Sequence, residues 1–155
     1  MKVGDRAPAF RLPDVSGEFV RLSDFAGETV VLYFFPKADT PGCATQACGI
    51  AERWADYEAA GTVVIGVSRD APDELYRFGH KHDLPHMLLS DPDHKVAEKY
   101  GVWAEKSMYG RRYWGVLRTT FIISPNGRLV KAFPNVSPKK HDDVVLAALR
   151  EATDA

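Results

Sequence analysis

The sequence predicts an α/β domain: a central mixed β-sheet flanked by helices, with parallel pairing at the centre of the sheet. Three observations carry this. Residues 29–35 (Thr-Val-Val-Leu-Tyr-Phe-Phe) and 62–67 are continuous runs of mainly β-branched, aliphatic and aromatic residues, the pattern of strands buried on both faces. Helical segments opening at Pro41, Pro72 and Pro92 alternate with the strands, and such alternation joins parallel neighbours. Residues 116–123 and 128–133 flank Pro125-Asn126-Gly127, a hairpin signal that makes the last pair antiparallel.

The elements follow in order. Residues 9–12 and 19–22 form short paired strands around the turn Asp14-Val15-Ser16-Gly17, and Ser23-Asp24 caps one turn through Phe25. After the first buried strand, Pro36 stops the chain, and a helix runs from Pro41 to near Gly61 with Ile50, Trp54 and Tyr57 on its core face. Ser68-Arg69-Asp70 turns out of the second buried strand into a helix from Pro72 to about His82, with Leu75 and Phe78 inward. A strand over 84–89 leads through Asp91-Pro92 into a helix ending at Tyr100. Residues 105–115, with Tyr109, Arg111 and Arg112, are polar and read as an irregular insertion. The chain closes with a loop over 135–140 and an amphipathic helix over 141–152 that turns Val144, Val145, Ala148 and Leu149 inward.

A length of 155 residues suits one domain spanning 1–155 with a sizeable core. The formal net charge of −1 gives no basis for a nucleic acid or an anionic membrane as partner. Two cysteines do not make a secreted disulfide scaffold. The first residues hold no apolar export segment, and no stretch reaches transmembrane length, so a reducing cytoplasm is the expected location.

Both cysteines lie in one stretch, Pro36-Lys-Ala-Asp-Thr-Pro-Gly-Cys-Ala-Thr-Gln-Ala-Cys48. Thr40 is a good N-cap and Pro41 suits the first helical position, which puts Cys43 in the first turn. Unpaired N–H groups and the positive end of the helix dipole favour a thiolate there. The Thr40 hydroxyl is placed either to accept the Cys43 N–H or to donate to the sulfur. Cys48 follows five residues later. In an intact helix that spacing separates the Cα atoms by about 8.6 Å. A disulfide needs less than about 7 Å. The pair can bond only if the helix unwinds, which suits a transient disulfide and not a permanent staple.

The run from Phe35 to Cys43 resembles the peroxiredoxin active-site motif Pro-x-x-x-Thr-x-x-Cys, and its continuation to Cys48 resembles the bacterioferritin comigratory protein (PrxQ) subfamily. Ala7-Pro8-Ala9-Phe10, Leu22-Ser23-Asp24-Phe25 and the start of the last helix at Lys140-His141-Asp142 extend the resemblance along nearly the whole chain. It implies a thioredoxin-like fold with an N-terminal β extension. It also implies a peroxidase in which Cys43 attacks hydrogen peroxide or an alkyl hydroperoxide, Cys48 resolves the resulting sulfenic acid, and thioredoxin or a related dithiol resets the enzyme without a cofactor. Arg118, before Thr119-Thr120-Phe121, matches the arginine that peroxiredoxins hold beside the thiolate, and Pro36 would shield the sulfur. From its strand pattern alone, Arg118 shares a face with Val116, Thr120 and Ile122 and reads equally as a strand-end residue facing water. An intramolecular partner for Cys43 favours a monomer. Two rivals stand beside this reading: a thioredoxin-like protein disulfide oxidoreductase, and a redox-switched holdase without enzymatic turnover. Neither requires Pro36, Thr40, Cys43 and Arg118 together.

Other candidates read more plainly. Gln46, one turn beyond Cys43, is expected on the exposed side of its helix, and Trp103 as core or pocket wall. His80, His82 and His86 span a helix end, where convergence on a metal is not expected. His94 and His141 read as helix-start surface residues, and Asp91 and Asp93 as caps.

Overall fold

The computed structural model describes residues 1–154. The chain begins with an antiparallel ribbon, Arg11–Pro13 (β1) and Phe19–Arg21 (β2). The Asp14 carboxylate closes its turn by accepting the N–H groups of Ser16 and Glu18 at 2.9 and 3.1 Å. A 3₁₀ turn over Leu22–Phe25 then leads to the central sheet.

That sheet has five strands: Thr29–Phe34 (β3), Thr62–Ser68 (β4), Met87–Ser90 (β5), Thr119–Ile123 (β8) and Leu129–Pro134 (β9), in the order β5-β4-β3-β8-β9. Strands β3, β4 and β5 run parallel, and β8 and β9 are antiparallel to their neighbours. The period-two alternation of β3 divides the core. Val30, Leu32 and Phe34 join β1, β2 and the helix Lys95–Lys99 (α4) on one face. Val31, Tyr33 and Phe35 face the helices Pro41–Glu52 (α1), Trp54–Ala59 (α2), Pro72–Lys81 (α3) and His141–Asp154 (α5). Helices thus cover both faces of a mixed sheet, as expected, and among the described residues no helix is long and apolar enough to cross a membrane.

Several expectations require correction. Residues 105–115 are no irregular insertion. Trp103–Met108 (β6) and Arg111–Val116 (β7) pair as a separate antiparallel hairpin, turning through Tyr109 and Gly110 at φ 51° and 77°. Two successive positive φ values are what a tight hairpin turn requires. The strand expected over 116–123 is broken at Leu117 and Arg118, because β7 belongs to this hairpin and β8 to the central sheet. The helix expected to run from Pro41 to Gly61 is two, parted at Arg53 (φ −101°, ψ 18°); Ile50 and Tyr57 are fully buried and Trp54 partly so. The helix expected from Pro92 is only the short α4. It starts late because His94 adopts a left-handed φ, and the Asp91 carboxylate caps it by accepting the N–H groups of Val96 and Ala97. In α5, Val144 points outward and Leu146 takes the inward place.

Candidate active site

The C-terminal ends of β3 and β4 open onto one edge of the sheet, where ligands bind in open α/β sheets. Phe35 and Pro36 leave β3 there, and α1 begins with Pro41 as its first residue, so Cys43 occupies the first turn as read from the sequence. Cys43 is 2% exposed and Arg118 Nη2 lies 3.3 Å from its sulfur. The guanidinium of Arg118 also donates through Nη1 to Gln46 Oε1 at 2.7 Å. A Cβ on Gly42 would come within 3.0 Å of Nη2, so glycine there lets the guanidinium close on the sulfur.

Arg118 is placed by backbone as well as side chain. Leu117 N–H donates to Val102 O at 2.7 Å, and Asn135 N–H donates to Arg118 O at 2.9 Å, so the link between β7 and β8 is tied on both sides of the sheet junction. The residue therefore sits half-buried at the mouth of β8, and not within a strand on the Val116 face as the pattern suggested. Lys106, from the hairpin, donates to Val116 O at 2.8 Å and adds a second cation to this neighbourhood; burial and then the Arg118 charge lower its pKa.

The Thr40 hydroxyl does neither of the two things expected of it. It donates to Lys37 O at 2.8 Å and leaves the N–H groups of the first turn without a side-chain cap, although its carbonyl accepts Ala44 N–H at 2.8 Å. Pro36 is half-buried at the foot of the same loop. The loop itself is held from outside: Ala38 N–H donates to Asp70 Oδ2 at 2.8 Å, and the Asp39 carboxylate takes Lys81 Nζ at 2.7 Å and His82 Nε2 at 2.9 Å.

Both cysteines are free thiols, and both lie in α1. Cys48 is partly exposed and borders a cavity of about 370 Å³ shared with Thr45, Glu52, Lys139 and Asp142. Burial, and then the nearby carboxylates of Glu52 and Asp39, push its thiol pKa up. A more apolar opening of about 340 Å³ lies between Arg6, Phe25, Val30 and Pro125, at the opposite end of β3 from Cys43.

Two buried residues were misread from sequence. Gln46 is 0% exposed, because it falls on the buried α1 face with Cys43, Ala47 and Ile50; that i, i+3, i+4, i+7 spacing was its available signal. His141 is also fully buried, with Nε2 2.9 Å from Thr120 Oγ1 and Nδ1 3.3 Å from Asp142 Oδ1. The three histidines at the end of α3 diverge: His80 stacks on Tyr76, His82 takes Asp39, and His86 meets the Tyr33 hydroxyl. His94 stacks on Trp103 at 3.9 Å, and Trp103, the first residue of β6, packs partly buried against the core.

A thioredoxin-like sheet presenting a helix-start cysteine to an arginine defines the peroxiredoxin class. Residues 3–132 match the model of the AhpC/TSA family. The chain is 47% identical to peroxiredoxin Bcp of Escherichia coli K12 over 151 residues, 97% of each chain, and 46% identical to a putative peroxiredoxin bcp of Haemophilus influenzae over 150 residues, again 97% of each. Among solved structures it resembles the Xanthomonas campestris bacterioferritin comigratory protein, studied for alkyl peroxide reduction (TM-score 0.87, 35% identity, 92% and 91% covered). It also resembles a cysteine-to-serine variant of Xylella fastidiosa PrxQ (TM-score 0.92, 31% identity, 99% and 98% covered). The chain belongs to the AhpC/TSA family and, within it, to the Bcp/PrxQ peroxiredoxins, which are thiol-dependent peroxidases.

Proposed function

We propose that Cys43 is the peroxidatic residue and Cys48 the resolving one, within a single domain that acts as a monomer in the cytoplasm on hydrogen peroxide and alkyl hydroperoxides. The observation that carries this is the 3.3 Å approach of Arg118 to the Cys43 sulfur at the start of the helix that also holds Cys48. The Cys43 thiolate attacks the terminal oxygen of RO–OH. The O–O bond breaks, Cys43 becomes a sulfenic acid, and RO⁻ leaves to take up a proton as the alcohol, or as water when the substrate is hydrogen peroxide. Arg118 and the uncapped Cys43 N–H donate to the peroxide oxygens as charge develops on the leaving one. With its own proton engaged at Lys37 O, the Thr40 hydroxyl meets the peroxide as an acceptor and orients its O–H. Pro36 shields the sulfur from water. The start of α1 then unwinds, Cys48 attacks the sulfenic sulfur, water leaves, and a disulfide forms. Thioredoxin or a similar dithiol protein reduces it.

Mixing the reduced protein with one equivalent of hydrogen peroxide tests this by intact mass and a free-thiol count. Loss of both thiols with a mass lower by two hydrogens is expected. In Cys48→Ser the same first step leaves a mass one oxygen heavier. Reaction at the rate of a simple thiol would overturn the assignment of Cys43.

A further inference from the structure

Asp39, besides helping to raise the Cys48 thiol pKa, is held at both its backbone and its carboxylate. Its backbone is left-handed (φ 59°), a conformation that L-residues enter at a cost and that Asp and Asn tolerate best. Its two carboxylate oxygens are each taken by a cation-capable group at the end of α3, Lys81 at 2.7 Å and His82 at 2.9 Å. Those hydrogen bonds hold its pKa below the usual carboxylate value. The anchor is firm on the α3 side. The His82 ring packs edge-on to Phe78 at 5.3 Å, and Phe78, itself buried, packs on Phe35 at 6.1 Å, next to Pro36.

On the α1 side nothing equivalent exists. The first turn lacks a side-chain cap, so its order depends on outside holds, namely the bonds of Arg118 to Cys43 and Gln46 and the grip on the loop that precedes it. Oxidation of Cys43 puts an oxygen on the sulfur that Arg118 faces. The Arg118 bond to Gln46, the Ala38 bond to Asp70 and the loop's grip through Asp39 then remain as restraints against unwinding. Of these, only the Asp39 grip ties the loop to the end of α3. We propose that Asp39 is a positioning residue, clasping the loop before α1 to the end of α3 and setting the rate at which the Cys43 sulfenic acid is handed to Cys48. The inference rests on Cys48 being the resolving residue. Lys81 and His82 act through Asp39.

Rapid mixing with hydrogen peroxide, quenched and followed by mass, separates sulfenic acid formation from disulfide formation. Asp39→Asn keeps the left-handed tolerance and removes the charge; Lys81→Met removes the partner. Both are expected to speed the disulfide step by about two- to fivefold, the scale of a partly exposed ion pair, while the attack on peroxide holds its wild-type rate and reports an intact fold. The double variant is expected to be no faster than either single one, because the two act through one bond. Raising ionic strength from about 0.05 to about 0.5 M should speed the wild-type disulfide step and leave Asp39→Asn unmoved. An unchanged or slower disulfide step in either variant, or additive effects, would overturn the clasp alone; a faster step in Asp39→Asn but not in Lys81→Met would assign the effect to the Asp39 charge acting on Cys48. A wild-type chain that never forms the disulfide would overturn the Cys48 assignment, and the clasp with it, before any variant is made.

Discussion

Arg118 concentrates the chemistry of the site in one planar group. One nitrogen faces the sulfur and another holds Gln46, a fork that a lysine ammonium does not reproduce. Arg118→Met is therefore expected to lower the second-order rate with hydrogen peroxide by roughly 10- to 100-fold, the scale of a charge-assisted hydrogen bond. Arg118→Lys should recover part of the loss, and Gln46→Ala, which leaves the guanidinium without its second hold, should fall between wild type and Arg118→Met. Stopped-flow consumption of one equivalent of peroxide measures all three; Arg118→Met reacting within about threefold of wild type would remove Arg118 from the attack. At this scale the sequence was legible where a residue's type forced its role. The helix-start cysteine needed no structure. Gln46 did, because its polar type read as solvent-facing although its spacing matches the Cys43–Ala47–Ile50 stripe, and its partner Arg118 lies 72 residues away in sequence. Thr40 shows the converse: a good cap by type, its hydroxyl is spent within its own loop.

Helix α1 has two duties that pull against each other, since it must present Cys43 and then come apart. Thr45 lies exposed between the two cysteines and bonds back to Pro41 O at 2.9 Å, an arrangement that does little for helix stability. Alanine there raises helix propensity by up to about 0.7 kcal/mol, so Thr45→Ala should slow disulfide formation by about threefold with the peroxide step unaltered. The same two-phase measurement checks it, and an unchanged disulfide step would mean that unwinding does not limit resolution. Elements whose pattern had one meaning, such as β3 and β4, were legible in the sequence. The hairpin β6–β7 was hidden because its turn is Tyr109-Gly110 and not the usual Asn-Gly, and because its outer residues, from Glu105 to Trp114, carry no apolar alternation. The break at Arg53 was hidden because periodicity continues across it to Tyr57.

Across the whole molecule, the face of the sheet beneath α1 carries a buried polar layer that links strands to helices. Tyr57 O–H donates to Asp142 Oδ1 at 2.6 Å, His141 bridges Asp142 and Thr120, and Tyr33 and His86 share a bond of 2.6 Å. Burial drives the last pair apart in pH: it raises the Tyr33 pKa well above the phenol value and lowers that of His86 from 6.5 to about 4, so both are neutral in the folded protein. The unfolded chain takes up the His86 proton near pH 6.5 and the folded chain only near pH 4. Between those values the unfolded state binds more protons, so this contribution to stability is complete above pH 6.5 and is lost as the pH falls toward 4, amounting to roughly 3 kcal/mol. Asp91, whose carboxyl pKa is raised by burial, works in the opposite sense at the acid end, so the comparison that isolates His86 is with a neutral replacement. Unfolding free energies of wild type should drop between about pH 7 and about pH 4.5, and those of His86→Gln should drop less by most of that amount. Parallel curves for the two proteins would place the acid sensitivity of this fold elsewhere than in His86.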